Sequence, residues 1–161
     1  LETIRGMEVP LAYRHKAATP FAPSSRATGG RMRCGFYVQG SHRIVFCKEC
    51  LVEAKGARAI LRDVARVADE LRIRAYAEDR GQGTLRHAVV RMGYATNEVL
   101  LTIVTDGPSL PHAQRFKHLF HKFGRFSKNK SSIMSSSFSI KNVFPFTVAI
   151  SSFKSNTKAS R

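Results

Sequence analysis

The last third of the chain contains no acidic residue. All 11 Asp and Glu lie at or before Asp106 among 17 Lys and Arg, whereas residues 107–161 hold 10 Lys and Arg and no acid. Over all 161 residues the formal net charge is +16. An excess of this size favours a polyanionic partner, with nucleic acid ahead of an anionic membrane surface. The simpler alternative, a basic protein with solvated charges, stays open at this point.

Long apolar runs and export signals are also missing. No stretch of about 18 apolar residues exists, so no transmembrane helix is expected. Residues 1–12 lack the charged start and apolar centre of a secretory signal. The three cysteines, an odd number, argue against a disulfide framework and fit a reducing compartment. We therefore expect a cytoplasmic protein without membrane contact, and no obligate protein partner is evident.

Motifs of small-molecule catalysis are not found either. There is no GxGxxG or Walker-type loop, and the turn between Gly81 and Gly83 is too short to cradle a phosphate. No Ser/His/Asp or paired-carboxylate arrangement stands out. The residues alone indicate a basic, cytoplasmic chain of mixed α/β type, and no catalytic residue can be named.

Hydrophobic periodicity predicts an α/β or α+β-like fold, with a mixed sheet and one long helix. Apolar residues at three- and four-residue spacing predict that helix over 52–72, and a second helix is expected over 111–121. A turn at Gln39-Gly40-Ser41 should join two strands as a hairpin. The predicted strands cover residues 13–22, 33–38, 43–47, 85–92 and 98–105. The strand over 98–105 is almost continuously apolar, which predicts a central position in the sheet.

Beyond about Lys117 the periodic pattern ends. Residues 107–161 contain 8 of the 11 Phe and 12 Ser. We expect residues 1–117 to form one coherent domain and residues 118–161 to be an irregular tail, either disordered or translated out of frame. The first residue is Leu1 and not methionine, so a fragment is expected.

Two groups of residues suggest a metal site. Cys47 and Cys50 have the spacing of a thiolate pair, but a closed zinc site needs four ligands, and ordinary strand-end cysteines are the favoured interpretation. His112, His118 and His121 lie near one predicted helix and could bind a metal ion. A solvated basic face is favoured for these histidines.

Basic residues interleaved with aromatic ones suggest nucleic-acid contact. Arg and Lys neutralise phosphates, and tyrosine or phenylalanine rings can stack on unpaired bases. Solvated charges on the outer side of a sheet explain the pattern about equally well. The candidate RNA-binding residues are Arg14, Lys16, His42, Arg43, Arg86, His87 and Arg91.

Three ordered stretches carry a family resemblance. They are residues 7–21 (MEVPLAYRHKAATPF), 34–52 (CGFYVQGSHRIVFCKECLV) and 83–105 (GTLRHAVVRMGYATNEVLLTIVT). These stretches resemble the RumA/TrmA family of S-adenosylmethionine-dependent RNA (uracil-5-)-methyltransferases, and they look more like its 23S rRNA branch than its tRNA branch. Residues 109–116 (SLPHAQRF) still fit the helix that follows in the family. The resemblance implies a fragment that covers part of the central, RNA-facing domain.

The resemblance also implies which functions lie outside this chain. In the family a cysteine thiolate attacks C6 of a flipped-out uracil, the methyl group passes to C5, and a base removes the C5 proton. The residues for these steps and the S-adenosylmethionine pocket lie beyond the resembling segment, so the chain alone is expected to be inactive. Cys50 matches the cysteine that supplies the fourth ligand of a [4Fe–4S] cluster, whose other three ligands are absent. We therefore expect the fragment to bind neither cofactor.

The resemblance also implies roles for the basic residues. Arg14, Lys16, His42, Arg86, His87 and Arg91 match family positions whose work is RNA contact or domain packing. The alternative to a methyltransferase fragment is a stand-alone basic RNA-binding module without catalysis.

Overall fold

The sheet of this protein has six strands and is covered on one side by helices. The structure, a computed structural model, describes residues 3–23, 25–26, 29–96, 98–123 and 147–153. The strands are β1 (Lys16–Ala22), β2 (Arg33–Tyr37), β3 (Ile44–Phe46), β4 (Leu85–Met92), β5 (Val99–Asp106) and β6 (Thr147–Phe153). The helices are α1 (Ala57–Glu70) and α2 (Ala113–Phe123). The predicted mixed α/β class is confirmed.

The strand order is β3-β2-β1-β4-β5-β6. Neighbouring strands from β3 to β5 pair antiparallel, and β6 pairs parallel with β5. Strand β5 therefore has a neighbour on each side, but it is the last strand but one and does not take the central position predicted for it. Burial along β5 alternates, because Leu101 and Ile103 face the core while Leu100 and Val104 lie half-buried on the opposite side.

Helix α1 supplies the second layer of the core. Its stripe of Ile60, Leu61, Val64 and Val67 is at most 1% exposed and packs against the sheet. The helix begins at Ala57 and not at the predicted residue 52. Gly56 precedes it in the left-handed region, with φ of 87°, where glycine carries no steric penalty. Val52 instead lies in a turn and Glu53 forms an isolated bridge with Arg14. The Val52 carbonyl and the Ala54 amide are hydrogen bonded to the backbone of Arg14.

The predicted hairpin between β2 and β3 is present. The amide of Val38 donates to the carbonyl of Arg43 over 2.8 Å, and Gly40 occupies the left-handed region with φ of 69°. Gly35 in β2 lies so close to β3 that a β-carbon there would overlap the carbonyl oxygen of Val45. The Thr19 hydroxyl donates to the carbonyl oxygen of Gly35 over 2.8 Å, which joins β1 to the hairpin.

The region after Lys117 differs in part from the expected irregular tail. Helix α2 continues through Lys117 to Phe123, because Phe116 and Phe120 are 1% and 3% exposed where α2 meets α1. Residues 147–153 form β6, so this short stretch is a strand and not irregular. The remainder of the predicted tail, residues 124–146 and 154–161, lies outside the described residues.

Candidate nucleic-acid interface

Two predicted RNA-binding residues lie side by side on the sheet. Lys16 of β1 pairs directly with Arg91 of β4, and both side chains are exposed. Their neighbours Ala17 and Val90 point the other way into the core, so the two cations lie on the side of the sheet that faces away from α1. We call this side the outer face. Like charges directly opposite each other destabilise a sheet, and an anion bound between them would relieve that repulsion.

Arg14 extends the basic end of the outer face. It lies two residues before Lys16 and is exposed. Its backbone is held firmly, because its amide donates to the Val52 carbonyl over 2.8 Å and its carbonyl accepts from the Ala54 amide over 2.9 Å. The side chain of Arg14 therefore projects from a fixed point on the surface.

Three rings gather at the other end of the outer face. The ring centroid of Tyr37 lies 6.1 Å from His42 and 6.2 Å from His87, edge-to-face in both cases. His42 Nδ1 also lies 2.8 Å from Asp79 Oδ1. Burial lowers the pKa of His87 below its ordinary value, against the opposing charge of Glu78. The structure thus brings together two predicted residues, which with Tyr37 form what we call the ring cluster.

Arg86 has protein partners on both sides of its guanidinium. One terminal nitrogen lies 2.8 Å from both carboxylate oxygens of Glu78, and the other lies 3.0 Å from Asp106. The guanidinium also covers the ring of Tyr76 at 4.1 Å from its centroid. These contacts join the segment before β4 to β5 through the Arg86 side chain. Arg43, by contrast, is exposed in the loop before β3.

A cleft opens beside the ring cluster. It has a volume of about 760 Å³ and lies between the β2–β3 hairpin and the segment that joins α1 to β4. Its lining includes Tyr37, His42 and Tyr76, and also three arginines that the sequence did not single out: Arg72, Arg74 and Arg80. The spacing of these three arginines matches no sequence motif. The cleft that they line forms only when segments distant in sequence come together in the fold.

The cysteines do not gather into a metal centre. Cys34 is 2% exposed within β2, while Cys47 and Cys50 are half-buried. Burial raises the pKa of the Cys34 and Cys47 thiols, which favours their protonated forms. Across the described residues, no group of three or more His, Cys, Asp and Glu side chains could hold a metal ion. An iron–sulfur cluster normally takes four thiolates, so the three cysteines of this chain do not fit one.

The three histidines near α2 are all solvent-exposed. His112 lies just before the helix with φ of 55°, and His118 and His121 lie on it. Their exposure is compatible with the solvated basic face that the sequence favoured.

Comparison with known proteins connects this fold to RNA modification. No protein-family model matches the sequence. An uncharacterized RNA methyltransferase of Halalkalibacterium halodurans is 38% identical over 117 residues, which are 73% of this chain and 25% of that protein. An uncharacterized RNA methyltransferase of Clostridium acetobutylicum is 35% identical over 118 residues, with the same coverage of 73% and 25%. The chain belongs to the RumA/TrmA-like RNA methyltransferases.

The chain covers only part of its relatives. It spans about a quarter of the length of the curated RNA methyltransferases that it matches. Among solved structures, the Pyrococcus abyssi tRNA (uracil-54, C5)-methyltransferase in complex with S-adenosyl-L-homocysteine is similar, with a TM-score of 0.53 and 23% identity. That match covers 66% of this chain and 25% of the other, and it supports the fold alone.

The fold contains no helix, among the residues described, that is long and apolar enough to cross a membrane.

Proposed function

We propose that this chain is an RNA-contacting segment of an S-adenosylmethionine-dependent RNA (uracil-5-)-methyltransferase whose substrate is 23S rRNA. The observation that carries the proposal is the exposed pair Lys16 and Arg91, at one end of a sheet face whose other end holds the ring cluster. The methyl donor and the catalytic residues belong to parts of the enzyme outside this chain. Cys50 remains the position proposed for the fourth cluster ligand of the whole enzyme, whose other three ligands are absent from this chain.

The charges of the outer face suit a nucleic-acid backbone. Binding of phosphates to Lys16, Arg91 and Arg14 would release condensed counterions, which favours association at low salt. It would also remove the repulsion between the two directly opposed cations. The ring of Tyr37, 39% exposed at the far end, offers a surface on which an unpaired base can stack.

His87 contributes to this face through its ring and not through charge. Its lowered pKa favours the neutral form at neutral pH. We therefore assign the phosphate contacts to Lys16, Arg91 and Arg14, and the base contact to the ring cluster.

A second candidate function is RNA binding without catalysis. The observation in its favour is a closed core within the described residues, in which apolar side chains of the sheet, α1 and α2 are buried together. A chain with its own core can present a basic surface without further domains. Both candidates use the same outer face, and they differ only in whether methyl transfer follows.

The proposal is tested by RNA affinity as a function of salt. The logarithm of the association constant should fall linearly with the logarithm of the salt concentration, with a slope of about 0.7 per phosphate contact on single-stranded RNA. The double variant Lys16→Gln/Arg91→Gln should reduce that slope by about 1.4. The matched control Arg115→Gln/Lys117→Gln removes two exposed charges from α2 and should leave the slope unchanged.

The substrate is tested by comparing RNAs. A 23S rRNA transcript should bind more tightly than tRNA at the same salt concentration, and equal or reversed affinities would reject the rRNA assignment. RNA binding that is absent, or independent of salt, would contradict both candidate functions. Methyl transfer by this chain alone would show that catalytic residues lie within it.

A further inference from the structure

The segment after α1 exposes two arginines in a fixed arrangement. Ile73 and Ala75 are each 4% exposed and anchor this segment in the core, so Arg72 and Arg74 alternate with them and face solvent. The backbone of Arg72 has φ of 56°, and its amide donates to the Asp69 carbonyl over 3.0 Å. We call Arg72, Ile73 and Arg74 the arginine ridge.

A cleft lies on each side of the arginine ridge. The larger is the 760 Å³ cleft already described, which contains the exposed ring of Tyr37. The smaller has a volume of about 330 Å³ and is lined in addition by Thr84, Pro111 and His112. None of the described residues that line the smaller cleft is acidic. Volumes of this order accommodate small ligands.

The acids of the larger cleft are already engaged with the protein. Glu78 holds Arg86, Asp79 contacts His42, and Asp69 accepts the Met32 amide over 2.8 Å. Arg72, Arg74 and Arg80 have no such engagement, since none of them forms an ion pair with any described residue. Three cations are therefore available to an anionic ligand, and they follow the cleft from α1 to the loop before β4.

Tyr37 connects this region to the outer face. Its ring contacts His87 on the outer face and also lines the larger cleft. A ligand that leaves the Lys16 and Arg91 pair along the sheet therefore reaches the arginine ridge by passing Tyr37. This path has cations at both ends and an exposed aromatic ring between them, an order that suits a single-stranded nucleic acid.

We propose that single-stranded RNA crosses the arginine ridge, with phosphates on Arg72, Arg74 and Arg80 and an unpaired base against Tyr37. This inference rests on the proposed function, and it adds three arginines that lie outside the family stretches of the sequence. Single-stranded RNA is favoured over a duplex because an exposed tyrosine can stack only on a base that is unpaired.

The experiment measures binding of the full chain to a fluorescent 12-nucleotide oligouridylate across a range of salt concentrations. The variant Arg72→Gln/Arg74→Gln should lower the salt slope by about 1.4, as expected for two lost phosphate contacts. Tyr37→Ala should weaken binding about fivefold or more, because a base–aromatic stack contributes about 1 kcal/mol or more. Tyr37→Phe keeps the stacking ring and should bind as the wild type does.

The outcomes separate this inference from the proposed function. The control Arg115→Gln/Lys117→Gln again removes two charges from α2 and should bind as the wild type does. Loss of affinity in the Lys16→Gln/Arg91→Gln variant, together with unchanged binding in the ridge variant, would overturn the inference and leave the proposed function standing. Absence of binding by the wild type would overturn both. The proposed stacking of a base on Tyr37 would be overturned if a duplex bound as well as the oligouridylate. It would also be overturned if the Tyr37→Ala variant bound as the wild type does.

Discussion

Glu53 and Arg58 form an ion pair that is almost fully removed from solvent. Their side chains are 3% and 5% exposed, Arg58 Nε donates to Glu53 over 2.9 Å, and a terminal nitrogen of Arg58 donates to the second carboxylate oxygen. The guanidinium also lies 4.6 Å from the ring centroid of Phe36. The pair joins the start of α1 to the segment that bonds with Arg14, so it supports the backbone at the basic end of the outer face.

Removing one member of this pair should destabilise the protein strongly. Glu53→Gln leaves a buried guanidinium without its counter-charge, and such losses cost about 3–5 kcal/mol. Urea unfolding followed by circular dichroism measures the change. The control Asp79→Asn alters the contact with His42, in which both side chains are exposed, and should cost less than about 1 kcal/mol. A cost for Glu53→Gln as small as the control's would show that the pair is not buried in solution.

Gly35 should tolerate no side chain. A β-carbon at this position would overlap the backbone of β3, so Gly35→Ala must separate the hairpin strands or distort them. Overpacking of this kind costs about 1–3 kcal/mol. Gly6→Ala is the control, since nothing lies within 4 Å of the added carbon there. Hydrogen exchange of the Val38 amide reports the hairpin directly, and unchanged protection in Gly35→Ala would contradict the close approach.

His87 should make stability fall as the solution becomes acidic. Burial lowers its pKa, with Glu78 opposing that shift and Arg86 adding to it. The folded state therefore takes up fewer protons than the unfolded state once the pH drops below about 6.5, so acid favours unfolding. Stability is retained above that pH and is lost as the pH falls through the lowered pKa of the folded state.

The variant His87→Gln isolates this effect. It should lose part of the decrease in unfolding free energy that the wild type shows between about pH 7.5 and about pH 5.5. His118→Gln, an exposed position on α2, should keep the wild-type dependence. Equal pH profiles for the wild type and His87→Gln would refute the assignment.

The sequence predicted the local elements well and the site only in part. The strand predicted over 85–92 has the same bounds as β4. The helix was predicted to start at residue 52, since no local pattern shows that residues 52–54 pair with Arg14 across about 40 positions of sequence. The predicted helix start was wrong because it depends on a pairing between residues far apart in the sequence.

The candidate site shows the same division. The sequence predicted Lys16 to be an RNA contact or a solvated charge on the outer side of a sheet, but its pairing with Arg91 depends on the register between β1 and β4. The two acids that engage Arg86 come from a loop and from β5, which sequence spacing does not bring together. The sequence did not indicate the arginine ridge, because its two arginines become a candidate binding surface only through the clefts beside them in the fold.

The last prediction concerns α2, where the predicted tail and the observed fold meet. Phe116 is 1% exposed and stacks on Phe120 with ring centroids 6.0 Å apart and an interplanar angle of 9°. Phe116→Ala should cost about 3–5 kcal/mol, because it removes a large buried ring and leaves a cavity between α1 and α2. Leu51→Ala is the control, since Leu51 is 73% exposed and should change stability by less than about 0.5 kcal/mol. A Phe116→Ala variant as stable as the control would show that α2 does not pack on α1, and that the coherent part of the chain ends before this helix.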